Sequence, residues 1–337
     1  MPYVRLGKSG LKVSKLILGC MSYGTPEWQG WVLEEEEALK HIKAAYDLGI
    51  NAFDTANVYS NGRSEIILGK AIKQFNLPRD EIVIMTKVYF PVARGTKDDL
   101  FFAAPDEVDR RRYVNQQGLS RKHIFESIKH SLERLQLDYV DLLQCHRFDY
   151  NTPIEETMQA LHDVVKAGYA RYIGMSSCYA WQFHKMQNYA RQHGLTEFVS
   201  MQNYYNAAYR EEEREMVPLL QDMGVGMIPW SPLARGFLTR TLEEGSSRET
   251  TDNFFKGIMG NSESDTVSEI AQKRGISMAQ VAIAWSMSKP FMTAPIVGTT
   301  SLDKLKDLAG AVNVKLTEEE VKAIDDLYQP RAIIGHS

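Results

Sequence analysis

Asn51-Ala52-Phe53-Asp54-Thr55-Ala56-Asn57-Val58-Tyr59 is the stretch from which the rest of the chain can be read. It opens as a short buried strand that ends on a carboxylate, then enters a loop carrying a phenol. Two other apolar runs end on ionisable groups in the same way. Ile82-Val83-Ile84-Met85-Thr86 stops at Lys87, and Tyr139-Val140-Asp141-Leu142-Leu143-Gln144-Cys145 stops at His146. If these strands lie side by side and parallel, Asp54, Tyr59, Lys87 and His146 gather over one end of the sheet.

Working outward, residues 3–15 read as a small hairpin around Ser9-Gly10, followed by an apolar run at Leu16–Cys20. Strand-like and helix-like segments then alternate. Helices are predicted over about 34–48 and 63–75, and from a Ser120 cap with Ile124, Ile128, Leu132 and Leu135 facing inward. Thr152-Pro153-Ile154-Glu155 reads as cap, first-position proline and capping box for a helix burying Met158, Leu161 and Val165. Later strands fall at 171–176, 198–202, 226–230 and 294–297; later helices fall at 180–193, 211–223, 265–289 with a break near Gly275, and 301–312. A second capping box at Thr317–Glu320 opens a last helix to Leu327.

Eight short apolar strands, each followed by a helix, favour a parallel (β/α)8 TIM barrel. The hairpin would close its bottom, in one domain spanning 1–337 with a tail over about 329–337. An open doubly wound sheet is the alternative architecture. Two connections, Tyr89 to Leu119 and Leu238 to Ser264, are too long for bare turns. Both follow strands, so both belong at the C-terminal rim, where barrel enzymes carry substrate loops.

A net charge of −4 and a pI near 6.1 offer no electrostatic case for nucleic acid or an anionic membrane. Three separated cysteines make no disulfide framework. The N-terminus carries no apolar signal core, so a reducing cytoplasm is the expected location. No Gly-x-Gly-x-x-Gly occurs; Gly224-Val225-Gly226-Met227-Ile228-Pro229 fails at the third glycine and precedes a strand. The histidines show no ligand spacing, and no metal site is expected.

Phenol, ammonium, carboxylate and imidazole together suit the transfer of a proton to a carbonyl oxygen. A tyrosine with a pKa of about 10 is a slow acid at neutral pH. An adjacent ammonium is expected to lower it by about 1–3 pH units. The carboxylate keeps the lysine charged, and the histidine donates to the same oxygen or orients it. Taken singly, Asp54 could be a turn former and His146 a satisfied core histidine. Lys87 is harder to explain away, because lysine is rarely buried without a partner. Cys145 and His146 point to opposite faces of a strand and cannot easily share a proton. The runs Glu34–Glu37, Glu211–Glu213 and Glu318–Glu320 read as solvated helix starts.

Phe53-Asp54-Thr55-Ala56 with Tyr59, Thr86-Lys87 and Gln144-Cys145-His146-Arg147 resemble the aldo-keto reductase superfamily. So do Leu6–Ser14, Gly174-Met175-Ser176-Ser177, Gln202–Asn206, Trp230–Gly236 and Pro295–Ser301. The likeness runs over about residues 3–328 and is strongest to microbial, especially fungal, aryl-alcohol-dehydrogenase-like and versiconal-reductase-like members.

The resemblance implies an NADPH-dependent reductase of aldehydes or ketones, with Tyr59 as proton donor, Lys87 and Asp54 tuning it and His146 orienting the carbonyl. It implies cofactor contacts at Gly19, Cys20, Met21 and Asp54. Ser176, Ser177 and Gln202 would meet the carboxamide, with Trp230 stacked on the nicotinamide. Ser231, Pro232, Leu233 and Arg235 would follow the pyrophosphate. Gly298, Thr300 and Lys304 would take the adenosine end, Lys304 pairing with a 2′-phosphate. Ser177, Leu308 and Asp307 differ from residues usual in the family at those places.

Some of the loop aromatics Tyr23, Trp28, Trp31, Phe90, Phe101 and Phe102, the first four foremost and with His146, are expected to wall an apolar pocket for a small carbonyl substrate. Two other readings of the same fold stand beside this one: a redox-sensing potassium-channel β-subunit and a sugar or phosphosugar aldehyde reductase. The apolar tail Ala332–His336 is expected to dock on the barrel or on a second copy in a homo-oligomer.

Overall fold

A computed structural model describes residues 1–336 apart from 99, 102 and 241–261. β1 (Tyr3–Arg5) and β2 (Lys12–Ser14) form the antiparallel hairpin, with Val4 opposite Val13. The parallel strands are β3 (Ile17–Gly19), β4 (Ala52–Asp54), β5 (Val83–Val88), β6 (Val140–Cys145), β7 (Ala170–Ser176), β8 (Phe198–Gln202), β9 (Gly226–Met227) and β10 (Ile296–Val297). They form one eight-stranded sheet in the order β10-β3-β4-β5-β6-β7-β8-β9. The two edges meet: Met227 bridges Met292, and the Ile296 N–H donates to the Pro229 carbonyl at 2.9 Å. That contact curls the sheet round into the (β/α)8 barrel, leaving no open edge.

Strand alternation sorts the side chains into two cores. Leu18, Phe53, Ile84, Leu143, Cys145, Ile173, Met175 and Met201 face the surrounding helices. Ile17, Ala52, Val83, Met85, Leu142, Ile228 and Ile296 fill the barrel interior, where Leu6 and Val13 of the hairpin segment join them and plug the bottom. The interior is therefore apolar below, and the next inward positions up each strand are the polar ones.

Several local expectations shift for identifiable reasons. β9 and β10 are shorter than the runs 226–230 and 294–297 because Pro229 and Pro295 lack the N–H that a ladder needs. The helix expected over 211–223 splits into a 3₁₀ turn, Glu211–Glu213, and a helix Met216–Met223. Pro218 fits only in a first turn, so the α-helix begins just before it. The helix Ile154–Lys166 is not capped by Thr152, whose hydroxyl donates instead to Asp149 Oδ2 at 2.7 Å. Val164, not Val165, is its fully buried residue there. Ser120 does cap the helix Arg121–Leu135, accepting from the His123 N–H, and the capping box at Thr317 forms.

The connection after β5 is not bare. It contains a short helix, Pro105–Arg110, and an apolar cluster of Ala93, Leu100, Val108 and Tyr113. Phe102 and most of the Leu238–Ser264 connection lie outside the described residues. Among those described, no helix is long and apolar enough to cross a membrane, and no group of three His, Cys, Asp or Glu side chains is placed to hold a metal ion.

Candidate active site

Above the apolar plug, β4, β5, β6 and β8 each point one polar side chain inward: Asp54, Lys87, Gln144 and Gln202. β5 continues to Val88, so Lys87 sits within the strand and is fully buried. Its ammonium donates to Asp54 Oδ2 at 2.5 Å, to the Thr55 carbonyl at 2.8 Å and to the Tyr59 hydroxyl at 3.3 Å. The other carboxylate oxygen of Asp54 accepts from Gln144 Nε2 and Gln202 Nε2, each at 2.9 Å. Gln202 Nε2 also donates to Gln144 Oε1 at 2.9 Å. The carboxylate is thus filled on both sides, as burial of a charge requires. Gly174 makes room for this layer, since a Cβ there would lie 2.4 Å from Ser200 Oγ and 3.2 Å from Gln144 Cγ.

Tyr59 is fixed by the turn that follows it. Ser60, Asn61 and Gly62 have φ of 48°, 51° and 89°, a run that non-glycine residues adopt only when their surroundings impose it. Here they do. Ser60 is buried against Gly24, where a Cβ would come within 2.0 Å of Ser60 Oγ. Asn61 donates to the carbonyls of Gly95 and Asp98 and accepts from the Ala93 N–H, tying this turn to the long rim loop. Asn57 secures the same segment through the Phe90 carbonyl and Ser127 Oγ.

His146 follows β6 directly, its N–H donating to the Val88 carbonyl at 2.9 Å. The imidazole meets Tyr59 edge-on with ring centres 5.8 Å apart, and lies 5.0 Å from Phe90 and 6.1 Å from Phe101. Burial, then the nearby Arg147 and Lys87 charges, hold its pKa well below 6.5, so the ring is neutral at physiological pH. Nδ1 is buried without a partner. A buried unpaired N–H is more costly than an unpaired lone pair, which puts the proton on Nε2. The ring lines the cavity, so that nitrogen is the one available as a donor to a ligand.

The expected fall in the Tyr59 pKa does not occur. Burial is the largest influence and lifts the phenol above 10.0, against the pull of Lys87. Burial also works against the Lys87 ammonium, but Asp54 and the Tyr59 oxygen outweigh it, and its pKa ends above 10.5. Tyr59 is therefore protonated and Lys87 charged at neutral pH.

A cavity of about 530 Å³ opens over these groups. Asp54, Tyr59, His146, Trp230, Gly298, Thr300 and Lys304 line it. Gly19, Met21, Ser176, Gln202, Ser231, Pro232, Leu233 and Arg235 also line it. Two expected cofactor contacts do not. Cys20 is buried among the outward-facing core residues. Ser177 accepts the Trp230 indole N–H at 3.1 Å and so fixes that ring from behind.

The substrate-wall expectations divide similarly. Trp31 lines the cavity. Tyr23 is fully buried in the helix-side core, against His41. Trp28 stands behind Tyr59 at 6.4 Å between ring centres, and Phe90 backs His146 without reaching the lining. Phe101 also lines the cavity.

Gln144 and Arg147 are site residues that the sequence reading leaves without a role. Gln144 lies two residues before His146 on the same strand face, and that spacing was its only signal.

The rim is closed on one side by the chain's own C-terminus. Glu211–Glu213, expected as a solvated helix start, is instead a docking hub. Glu211 accepts from the Tyr328 hydroxyl and the Arg331 N–H. Glu212, buried, accepts from Asn203 Nδ2 at 3.0 Å and pairs with His336 Nε2 at 2.8 Å. The Ile334 N–H donates to the Tyr209 hydroxyl, and Gly335 sits beside Ser177 and Trp230. The tail thus docks on its own barrel.

The chain belongs to the aldo/keto reductase family of oxidoreductases, whose profile matches residues 15–329. It is 52% identical to the versiconal hemiacetal acetate reductase of Aspergillus parasiticus, over 99% of this chain and 98% of that one. A Schizosaccharomyces pombe protein that carries the name of an aryl-alcohol dehydrogenase is 49% identical over 99% and 97% of the two chains. An aldo-keto reductase of Fusarium vanettenii is 46% identical over 99% and 93%.

Proposed function

We propose that the protein reduces an aldehyde or ketone to the alcohol with NADPH, Tyr59 giving the proton to the carbonyl oxygen. The observation that carries this reading is the convergence of a protonated phenol and a neutral imidazole at one cavity wall, with a buried ammonium 3.3 Å behind the phenol. His146 Nε2 donates to the substrate oxygen and turns it toward the Tyr59 hydroxyl. As that oxygen gains negative charge, Tyr59 transfers its proton, and Lys87 stabilises the phenolate left behind. Asp54, held by Gln144 and Gln202, keeps Lys87 charged and aimed. NADPH, when bound, supplies the hydride.

The cavity fits such a group. Trp230 offers it an indole ring. Arg235, Arg240 and Lys304 bring three cations to its lining, a donor set suited to phosphates. Both amide hydrogens of Gln202 are engaged inside the protein, so its part toward a carboxamide is as an acceptor. Lys304, on the first turn of the helix Leu302–Gly310, supports a preference for the 2′-phosphorylated cofactor.

The aromatic lining from Trp31 and Phe101 favours aryl aldehydes, in line with the names of the relatives. Oxidation of NADPH and of NADH, followed over a panel of aromatic, aliphatic and sugar aldehydes, tests the reading. NADPH-dependent reduction of aryl aldehydes is expected; no turnover with any carbonyl would refute it.

A further inference from the structure

Well-shielded arginines in this protein have carboxylate partners. Arg79 meets Asp141 at 2.8 Å, Arg134 meets Glu65 at 2.6 Å, Arg210 meets Glu213 at 2.8 Å and Arg274 meets Glu320 at 2.5 Å. Arg147 breaks that pattern. It is half-buried beside His146 and lines the same cavity as Tyr59. Among the described residues its polar contact is one hydrogen bond, from Nη1 to the His146 carbonyl at 2.6 Å. The Phe90 ring lies 5.8 Å from the guanidinium carbon, and no carboxylate among the described residues pairs with it. The neighbours that influence its charge are two phenols, Tyr59 and Tyr89, and another cation, Arg235.

The other guanidinium nitrogens of Arg147 are not sealed off from solvent, and the residue lines the cavity, where water or a ligand's oxygens can fill them. Asp54, a carboxylate of the lining, is already saturated by Lys87, Gln144 and Gln202. The space the guanidinium can reach is the pocket that would hold substrate.

We propose that Arg147 is a specificity-determining residue that selects carbonyl substrates carrying an anionic oxygen group, a carboxylate foremost. A planar guanidinium fork matches a carboxylate with two parallel hydrogen bonds. This rests on the carbonyl-reductase reading above. The cofactor's phosphates offer the same anionic oxygens, so the test separates the two sources.

The test compares 2-, 3- and 4-formylbenzoate with their methyl esters in the wild type, Arg147→Met and Arg147→Lys. The wild type is expected to favour one acid over its ester by about 10-fold or more in kcat/KM, the worth of a charged hydrogen bond. Arg147→Met should lower kcat/KM for the acid by about 10-fold more than for its ester, and Arg147→Lys should restore part of the acid preference as a point charge. Equal treatment of acid and ester by the wild type for all three isomers overturns the proposal. So does a fall in NADPH affinity in Arg147→Met that accounts for the whole loss, which would assign the arginine to the cofactor.

Binding of benzoate and methyl benzoate, read by tryptophan fluorescence, repeats the comparison without turnover. Benzoate binding that needs Arg147, with no carbonyl reduced, upholds the anion site and refutes the reductase reading. Turnover without any benzoate preference does the reverse.

Discussion

Lys87 Nζ lies 2.5 Å from Asp54 Oδ2 and 3.3 Å from the Tyr59 hydroxyl, so the ammonium is anchored to the carboxylate and leans on the phenol. Both partners are buried, and removing one charge strands the other. Asp54→Asn should therefore destabilise the fold by about 3–5 kcal/mol. The same variant should lower kcat by about 10- to 100-fold, because Lys87 loses the group that keeps it charged. Urea unfolding and steady-state kinetics on the same preparation check both. Unchanged stability would mean that Lys87 is neutral in the wild type.

The pH profile follows from two directions. The competent Tyr59 is the protonated form, and burial holds its pKa above 10.0. The competent His146 is the neutral form, and burial holds its pKa well below 6.5. Carbonyl reduction should thus be flat across neutral pH, declining only in alkali as Tyr59 ionises and in acid as His146 gains a proton. A kcat/KM profile with a midpoint near neutrality would contradict this.

On the proposed reading, Lys304 separates the two nicotinamide cofactors. Lys304→Met should weaken NADPH binding by about 10-fold, as expected for losing one exposed charge–phosphate contact. NADH binding should change by less than about twofold, since it has no 2′-phosphate for the lysine to meet. Fluorescence titration of both cofactors measures the ratio. Equal weakening would move the 2′-phosphate site elsewhere.

Glu212 holds the tail from beneath. Glu212→Leu leaves Asn203 Nδ2 and His336 Nε2 without their carboxylate and should cost about 1–3 kcal/mol. Because Gly335 packs beside Trp230, loosening the tail should also raise acrylamide quenching of tryptophan fluorescence. Unaltered quenching with a lowered Tm would confine Glu212 to stability.

Most of the barrel is legible in the chain because its strands are short apolar runs bounded by helices with clear caps. Asp54, Lys87 and His146 are legible because charge at the end of such a run is conspicuous. What escaped depends on residues distant in sequence. The Thr152 cap fails because Asp149 competes for its hydroxyl. Glu211–Glu213 looks solvated until Tyr328, Arg331 and His336 return to it across the rim. The Tyr59 pKa moved against expectation because a pairwise view counts Lys87 but not the burial that both groups share. Arg147's distinction is spatial: among the described residues no carboxylate pairs with it.

The central claim is that Tyr59 delivers the proton, and the direct measurement is single-turnover reduction of an aryl aldehyde by Tyr59→Phe with NADPH pre-bound. The rate should fall by about 10²- to 10⁴-fold, the usual worth of a positioned general acid. NADPH affinity should stay within about twofold of wild type, because no charge is removed. Reduction at the wild-type rate, or a loss explained entirely by weaker NADPH binding, would contradict the account.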